Sequence, residues 1–164
     1  MDLDKLGVGE KIAAVSAVAL FIFMFFDWFD VEVSGGGASS GTVGSGTAWD
    51  ALDNIPIFLL ITVIAALAVA ALRLTDADYE PPFPANVAVA ILGAISVLLI
   101  LYRIIDPPGG GSFGGFSVDV SPTFGIFISL IAAGGVTYGG YKAMQEEGVT
   151  IGDGGTSSPP PPPA

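Results

Sequence analysis

Ile57-Phe58-Leu59-Leu60-Ile61-Thr62-Val63-Ile64-Ala65-Ala66-Leu67-Ala68-Val69-Ala70-Ala71-Leu72 is an apolar run with one hydroxyl, at Thr62, and no charge. Such a stretch has no polar face to turn toward water. A bilayer, whose hydrocarbon core of about 30 Å is crossed by about 20 apolar helical residues, asks for none. In lipid the backbone groups must be paired inside the segment, so the run predicts a membrane helix. With Pro56 in the first helical turn, where its missing N–H costs little, the helix extends over about 56–74.

Three more runs flank this one. Residues 10–29 are uncharged from Ile12 to Phe26, and Asp27 and Trp28 are expected at the interface. Residues 86–105 carry only Ser96 and Arg103 as polar members between Val87 and Ile105, and residues 123–143 carry Ser129 and Thr137 between Phe124 and Tyr141. An Arg at a span's centre costs about 2.5–3.5 kcal/mol on an insertion scale, but Arg103 lies near a span's end and the apolar residues around it outweigh it. Asn54 before Pro56 and Ser121 before Pro122 are expected helix N-caps. Asp106-Pro107-Pro108 stops the third run, and Thr75 to Pro84, with three prolines, connects the second to it. The fold expected is an all-α membrane protein, a four-transmembrane-helix bundle over residues 1–145. An acidic, Pro-rich tail, 146–164, is too poor in apolar residues to fold, and Pro159 to Pro163 predict polyproline II.

Composition agrees. Among 164 residues, 52% are hydrophobic and 13% charged. A soluble domain carries roughly 25% charged residues, about twice as many. A net charge of −11 argues against nucleic acid as a partner. The chain has no Cys and no His, which removes thiolate chemistry, the commonest general base and the commonest metal ligand. No catalytic, cofactor-binding or metal-binding residue is named, and the chain is expected not to be an enzyme. The first run reads as retained rather than cleaved: Asp2, Asp4 and Glu10 offset Lys5 and Lys11, and Phe25 to Phe29 offers no small-residue cleavage site.

With an even number of spans, Lys5, Lys11, Arg73 and Lys142 share one side and Arg103 takes the other, which predicts cytoplasmic N- and C-termini in a plasma-membrane protein. Trp28, Trp49 and Tyr102 then lie at the outer interface, and Tyr79 and Tyr141 at the inner one. Outside, Asp27, Asp30, Glu32, Asp50, Asp53, Asp106 and Asp119 make an acidic face; their spacing matches no calcium loop, and solvated charge is expected. Ser34 to Thr47 reads as a flexible linker and Ala48 to Leu52 as an interfacial helical turn. Phe29-Asp30-Val31-Glu32-Val33 and Phe116-Ser117-Val118-Asp119-Val120 alternate with period two, so these segments either pair as a two-stranded outer cap or remain separate loop edges.

Two features stand out within the spans. Arg103 is expected to snorkel and to pair with Asp106, three residues on; Asp27 or Asp30 are alternative partners. Gly135 and Gly139, with Ala143 next in the row, and Gly125, Ser129 and Ala133 place small residues every four positions, as close helix packing requires. Val136 is expected on another face. No carboxylate lies in mid-span, unlike the buried acid of a proton-driven exporter.

Lys5-Leu6-Gly7-Val8-Gly9-Glu10-Lys11-Ile12, Tyr102-Arg103-Ile104-Ile105-Asp106-Pro107-Pro108 and Tyr138-Gly139-Gly140-Tyr141-Lys142-Ala143-Met144 resemble small, uncharacterised four-span membrane proteins of high-GC Gram-positive bacteria. The resemblance covers the spans and their ends, and implies the plasma membrane without an activity. The function expected is a scaffold, accessory subunit or envelope component acting through helix or tail contacts, with the bilayer and a second copy or another membrane protein as partners. A small oligomeric channel or carrier is the alternative.

Overall fold

The computed structural model describes residues 3–51, 53–75 and 84–148. Most of the tail, the proline run and the connection around Tyr79 lie outside them. After a 3-10 turn at Leu3–Lys5 come α1 (Val8–Phe23), β1 (Asp27–Gly35), β2 (Ala38–Thr47), α2 (Ala48–Ala51), α3 (Ile55–Leu74), α4 (Ala85–Ile105), β3 (Gly111–Phe113), β4 (Phe116–Pro122) and α5 (Phe124–Glu146).

The all-α four-span bundle is not what the chain forms. A four-stranded antiparallel sheet, in the order β2-β1-β4-β3, stands at one end of the helices. Among the described residues three helices, α3, α4 and α5, are long and apolar enough to cross a membrane. The remaining run, the first in the chain, yields a helix of 16 residues. At the α-helical rise that is about 24 Å, short of the hydrocarbon thickness. Its expected last turns are taken by the sheet: after Met24 to Phe26 the chain turns into β1. Trp28 therefore points into the protein and not toward lipid headgroups. It is fully buried, and its Nε1 donates to the Phe23 carbonyl at 2.8 Å. That bond gives the Phe23 carbonyl, at the end of α1, a second donor beside the Phe26 amide at 3.2 Å.

The two period-two segments do pair, β1 with β4, but at the centre of the larger sheet. Val31 faces Val120 and Val33 faces Val118, with Phe29 buried at the helix end of the same face. Ser34 to Thr47 is no linker either. Gly36 and Gly37, with φ of 65° and 80°, make the two-residue turn that folds β2 back on β1, and Gly114 and Gly115 do the same between β3 and β4. Mirror-type turns of this kind need positive φ at both central residues, which glycine adopts without strain.

The starts of the helices differ in detail from expectation. Asn54 precedes α3, but its side chain makes no capping bond. Pro122 ends β4 instead of opening α5, whose N-cap is Thr123. The turn of α2 is closed by Thr47 and Asp50: the Thr47 hydroxyl and amide donate to Asp50 Oδ2 at 2.7 and 3.1 Å. This is the side-chain-to-amide half of a capping box. The hydroxyl, and after it the amide, hold the Asp50 carboxyl below its usual pKa.

Register places Glu32 directly opposite Asp119, both exposed. Like charges facing each other across strands are destabilising. Asp119→Lys is therefore expected to raise the thermal stability of the detergent-solubilised protein, by about 0.2–1 kcal/mol. A loss of stability would contradict this register.

Candidate functional site

Helix α5 is the axis of the molecule and packs on both α1 and α4. On the α1 side there is no room for a side chain. A Cβ on Gly139 would strike the Ala13 amide and lie 2.7 Å from the Gly9 carbonyl oxygen; one on Gly9 would strike the Ala143 amide; one on Gly135 would strike the Ser16 side chain. Toward the sheet, a Cβ on Gly125 would meet the Asp27 carbonyl. The contacts run from one end of α5 to the other, so α1 and its short extension accompany α5 along its length. On the α4 side the device is repeated: a Cβ on Gly93 would lie 2.8 Å from the Thr137 amide, and one on Gly140 2.7 Å from the Ala90 amide. Ala133 and Ser129 are fully buried, and the Ser129 hydroxyl has no hydrogen-bond partner among the described residues. Val136, expected on another face, is itself fully buried.

At the end opposite the sheet, all four long helices meet in a polar clasp. Glu10 of α1 is nearly buried, with a side-chain exposure of 8%, and takes three donors: the Gly7 amide at 3.1 Å, Asn86 Nδ2 of α4 at 3.3 Å and Arg73 Nε of α3 at 3.2 Å. Arg73 also pairs with Glu147 at the end of α5, and Glu146 accepts from the Gly9 amide at 3.3 Å. An ionised carboxylate withdrawn from water is tolerable only when paired and hydrogen-bonded, as Glu10 is. In mid-helix, Thr62 and Ser96 meet at 3.0 Å between α3 and α4, each also bonded to the carbonyl four residues back.

Sequence reasoning misses the clasp. Glu10 and Arg73 read as end-of-span charges, and Asn86 carries no mark of its own. The available signal is positional: with antiparallel neighbours, the start of α1, the end of α3, the start of α4 and the end of α5 lie at one level, and each carries a polar residue.

Arg103 does not form the expected pair. Asp106 accepts instead from the Tyr102 hydroxyl at 2.9 Å, the Arg103 guanidinium lies over the Tyr102 ring at 5.7 Å, and Arg103 Nε is buried without a partner among the described residues. Neither Asp27 nor Asp30 replaces Asp106 among the described residues.

The sheet is mounted tightly on the helices. The Thr123 amide donates to the Trp28 carbonyl at 2.8 Å and its hydroxyl to the Asp27 carbonyl, so the exit of β4 and the entry of β1 are tied where α1 ends and α5 begins. The outer strands are open. β2 is ten residues long, without charge or proline, and Val43 on it is 66% exposed; at the β3–β4 turn, Phe113 is 90% exposed. Edge strands of soluble proteins are normally shielded by charge, proline or brevity, and β2 has none of these.

No protein-family model, curated protein or solved structure matches the chain.

Proposed function

We propose that this is a non-catalytic protein of the plasma membrane that holds a rigid, acidic β-sheet outside the bilayer for contact with another membrane protein or a second copy. The tie between Thr123 and the Asp27–Trp28 backbone carries the reading, because it makes the sheet a fixed extension of the helices rather than a loose loop. The unshielded β2 edge supports it, since strand addition supplies main-chain hydrogen bonds to a partner. The clasp end faces the cytoplasm, because Lys5, Lys11, Arg73 and Lys142 lie toward it and only Arg103 toward the sheet. Both described chain ends then lie on the cytoplasmic side.

The alternative of a channel or carrier has less support. Leu20, Leu59, Val63, Ile100, Ile126 and Val136 close the interior between the helices.

Two measurements test the proposal. Single cysteines at Ser40 and Ser112 are expected to react with an impermeant thiol reagent in intact cells, and one at Thr75 to be protected; the reverse pattern overturns the orientation. A photo-crosslinking residue at Val43 is expected to yield a discrete protein adduct in native membranes, whereas one at Ile131, on the exposed side of α5, yields lipid adducts. Equal, adduct-free behaviour at Val43 and Phe113 would defeat the display role.

A further inference from the structure

Beside the tight contact of Gly93 with Thr137 and Gly140 with Ala90, helices α4 and α5 leave an open groove of about 680 Å³. Its floor is made by the small residues Ala90, Ala94 and Gly134, and its walls by Leu98, Tyr138 and Tyr141. A Cβ on Gly134 would meet nothing within 4 Å, in contrast to Gly135 and Gly139, so this glycine serves no contact among the described residues and leaves the channel open. Apart from the two tyrosine hydroxyls, the lining offers water little to bind. Thr137, its one short polar side chain, already donates its hydroxyl to the Ala133 carbonyl at 2.9 Å. Both helices are long and apolar enough to cross a membrane, so the groove opens onto hydrocarbon. From Ala90 to Leu98 it follows α4 for about 12 Å, the right shape for an extended run of methylenes.

The charge at the clasp end selects the molecule to which those methylenes belong. Lys142 lies one turn beyond Tyr138 on α5, on the same side of the helix, and next to Tyr141. Arg73 is occupied by Glu10 and Glu147, whereas Lys142 has no ion-pair partner among the described residues. Tyr138 and Tyr141, both exposed, bring amphipathic rings to the level where headgroups lie. We propose that the α4–α5 groove holds one acyl chain of an anionic phospholipid, whose headgroup is bound at Lys142 beside Tyr141. The inference rests on the membrane placement and not on the display role of the sheet, so either can fail alone.

The test is native mass spectrometry of the full-length protein, reconstituted in vesicles of equal phosphatidylglycerol and phosphatidylcholine and then extracted in detergent. One phosphatidylglycerol per chain is expected to be retained. Gly134→Phe, which fills the groove without touching the helix contacts, is expected to abolish retention at unchanged thermal stability, and Ala94→Leu does the same from the other helix. Lys142→Gln is expected to keep a lipid but lower the preference for phosphatidylglycerol by about fivefold, the worth of one basic contact near a membrane surface. Retention that survives both groove-filling variants would overturn the proposal, and so would a wild-type protein that retains no lipid. A preference that survives Lys142→Gln would overturn the headgroup assignment. A wild-type dimer that Gly134→Phe dissociates would give the groove to a second copy instead.

Discussion

Gly139→Leu is expected to separate α1 from α5 and to lower stability in detergent by about 1–3 kcal/mol, the usual range for overpacking a filled interior. The value should fall toward the upper end, because the atoms in the way are the Ala13 amide and the Gly9 carbonyl oxygen, main chain on a facing helix, and not the tip of a side chain that can swing aside. Burying the added leucine brings no compensation, since lipid offers it equally apolar surroundings. Gly134→Ala, on the same helix, meets open space and is expected to be neutral or slightly stabilising, because alanine has the better helix propensity. Val136 does not serve as the neutral control that its sequence position suggests, being wholly buried. Thermal melting of the two glycine variants in one detergent decides the matter. Equal melting temperatures would mean that α1 and α5 are not in backbone contact.

Arg73→Met is expected to have the second large effect. It leaves the Glu10 carboxylate buried with only the Gly7 amide and Asn86 as donors. Breaking a fully buried pair costs about 3–5 kcal/mol. The Arg73 side chain is 51% exposed, however, so solvent already screens part of the interaction. The better expectation is about 1–3 kcal/mol, between the buried and the surface limits. Adding Glu10→Gln to Arg73→Met is expected to recover part of the loss, since the amide oxygen still accepts from Gly7 and no charge remains to be compensated. Full stability of Arg73→Met alone would show the clasp to be an ordinary surface pair.

The clasp and the helix contacts differ in how far they can be read from the chain. The row Gly135, Gly139, Ala143 announces a close contact, because a stripe of small residues on an apolar helix has one mechanical use. Its partner surface is only half legible: Ala13 and Ala17 make a small-residue row that could match it, whereas Gly9 lies among charged residues at the helix start and reads as a boundary. Arg103 and Asp106 sit at helical pairing distance, yet Tyr102, four residues before Asp106, takes the carboxylate instead. Spacing along a helix proposes several partners, and rotamer and neighbours choose between them.

The sheet marks the sharper limit. Helices of apolar residues are legible because their hydrogen bonds are local and their composition needs no partner to be read; Ile57 to Leu72 is recognised without any other part of the chain as a helix long and apolar enough to cross a membrane. The strand β2 has no such self-sufficiency. Its Ala-Ser-Ser-Gly-Thr-Val-Gly-Ser-Gly-Thr composition is that of a linker, and it becomes a strand because β1 stands beside it. Two clues are present, the Gly36-Gly37 and Gly114-Gly115 turns between β-branched or aromatic segments, but a glycine pair in a glycine-rich stretch is easily read as slack. Nor does local pattern show that the first apolar run stops at Phe23 and sends Trp28 and Phe29 into the core beneath the sheet. Residue chemistry alone named four spans, of which three are helices long and apolar enough for a membrane, and the acidic character of the segments between them. Contacts between residues nearly a hundred positions apart, Thr123 on Asp27 and Trp28 above all, settled the sheet. Pairing that distant is specified by the surfaces the helices bring together and not by any single stretch of the chain.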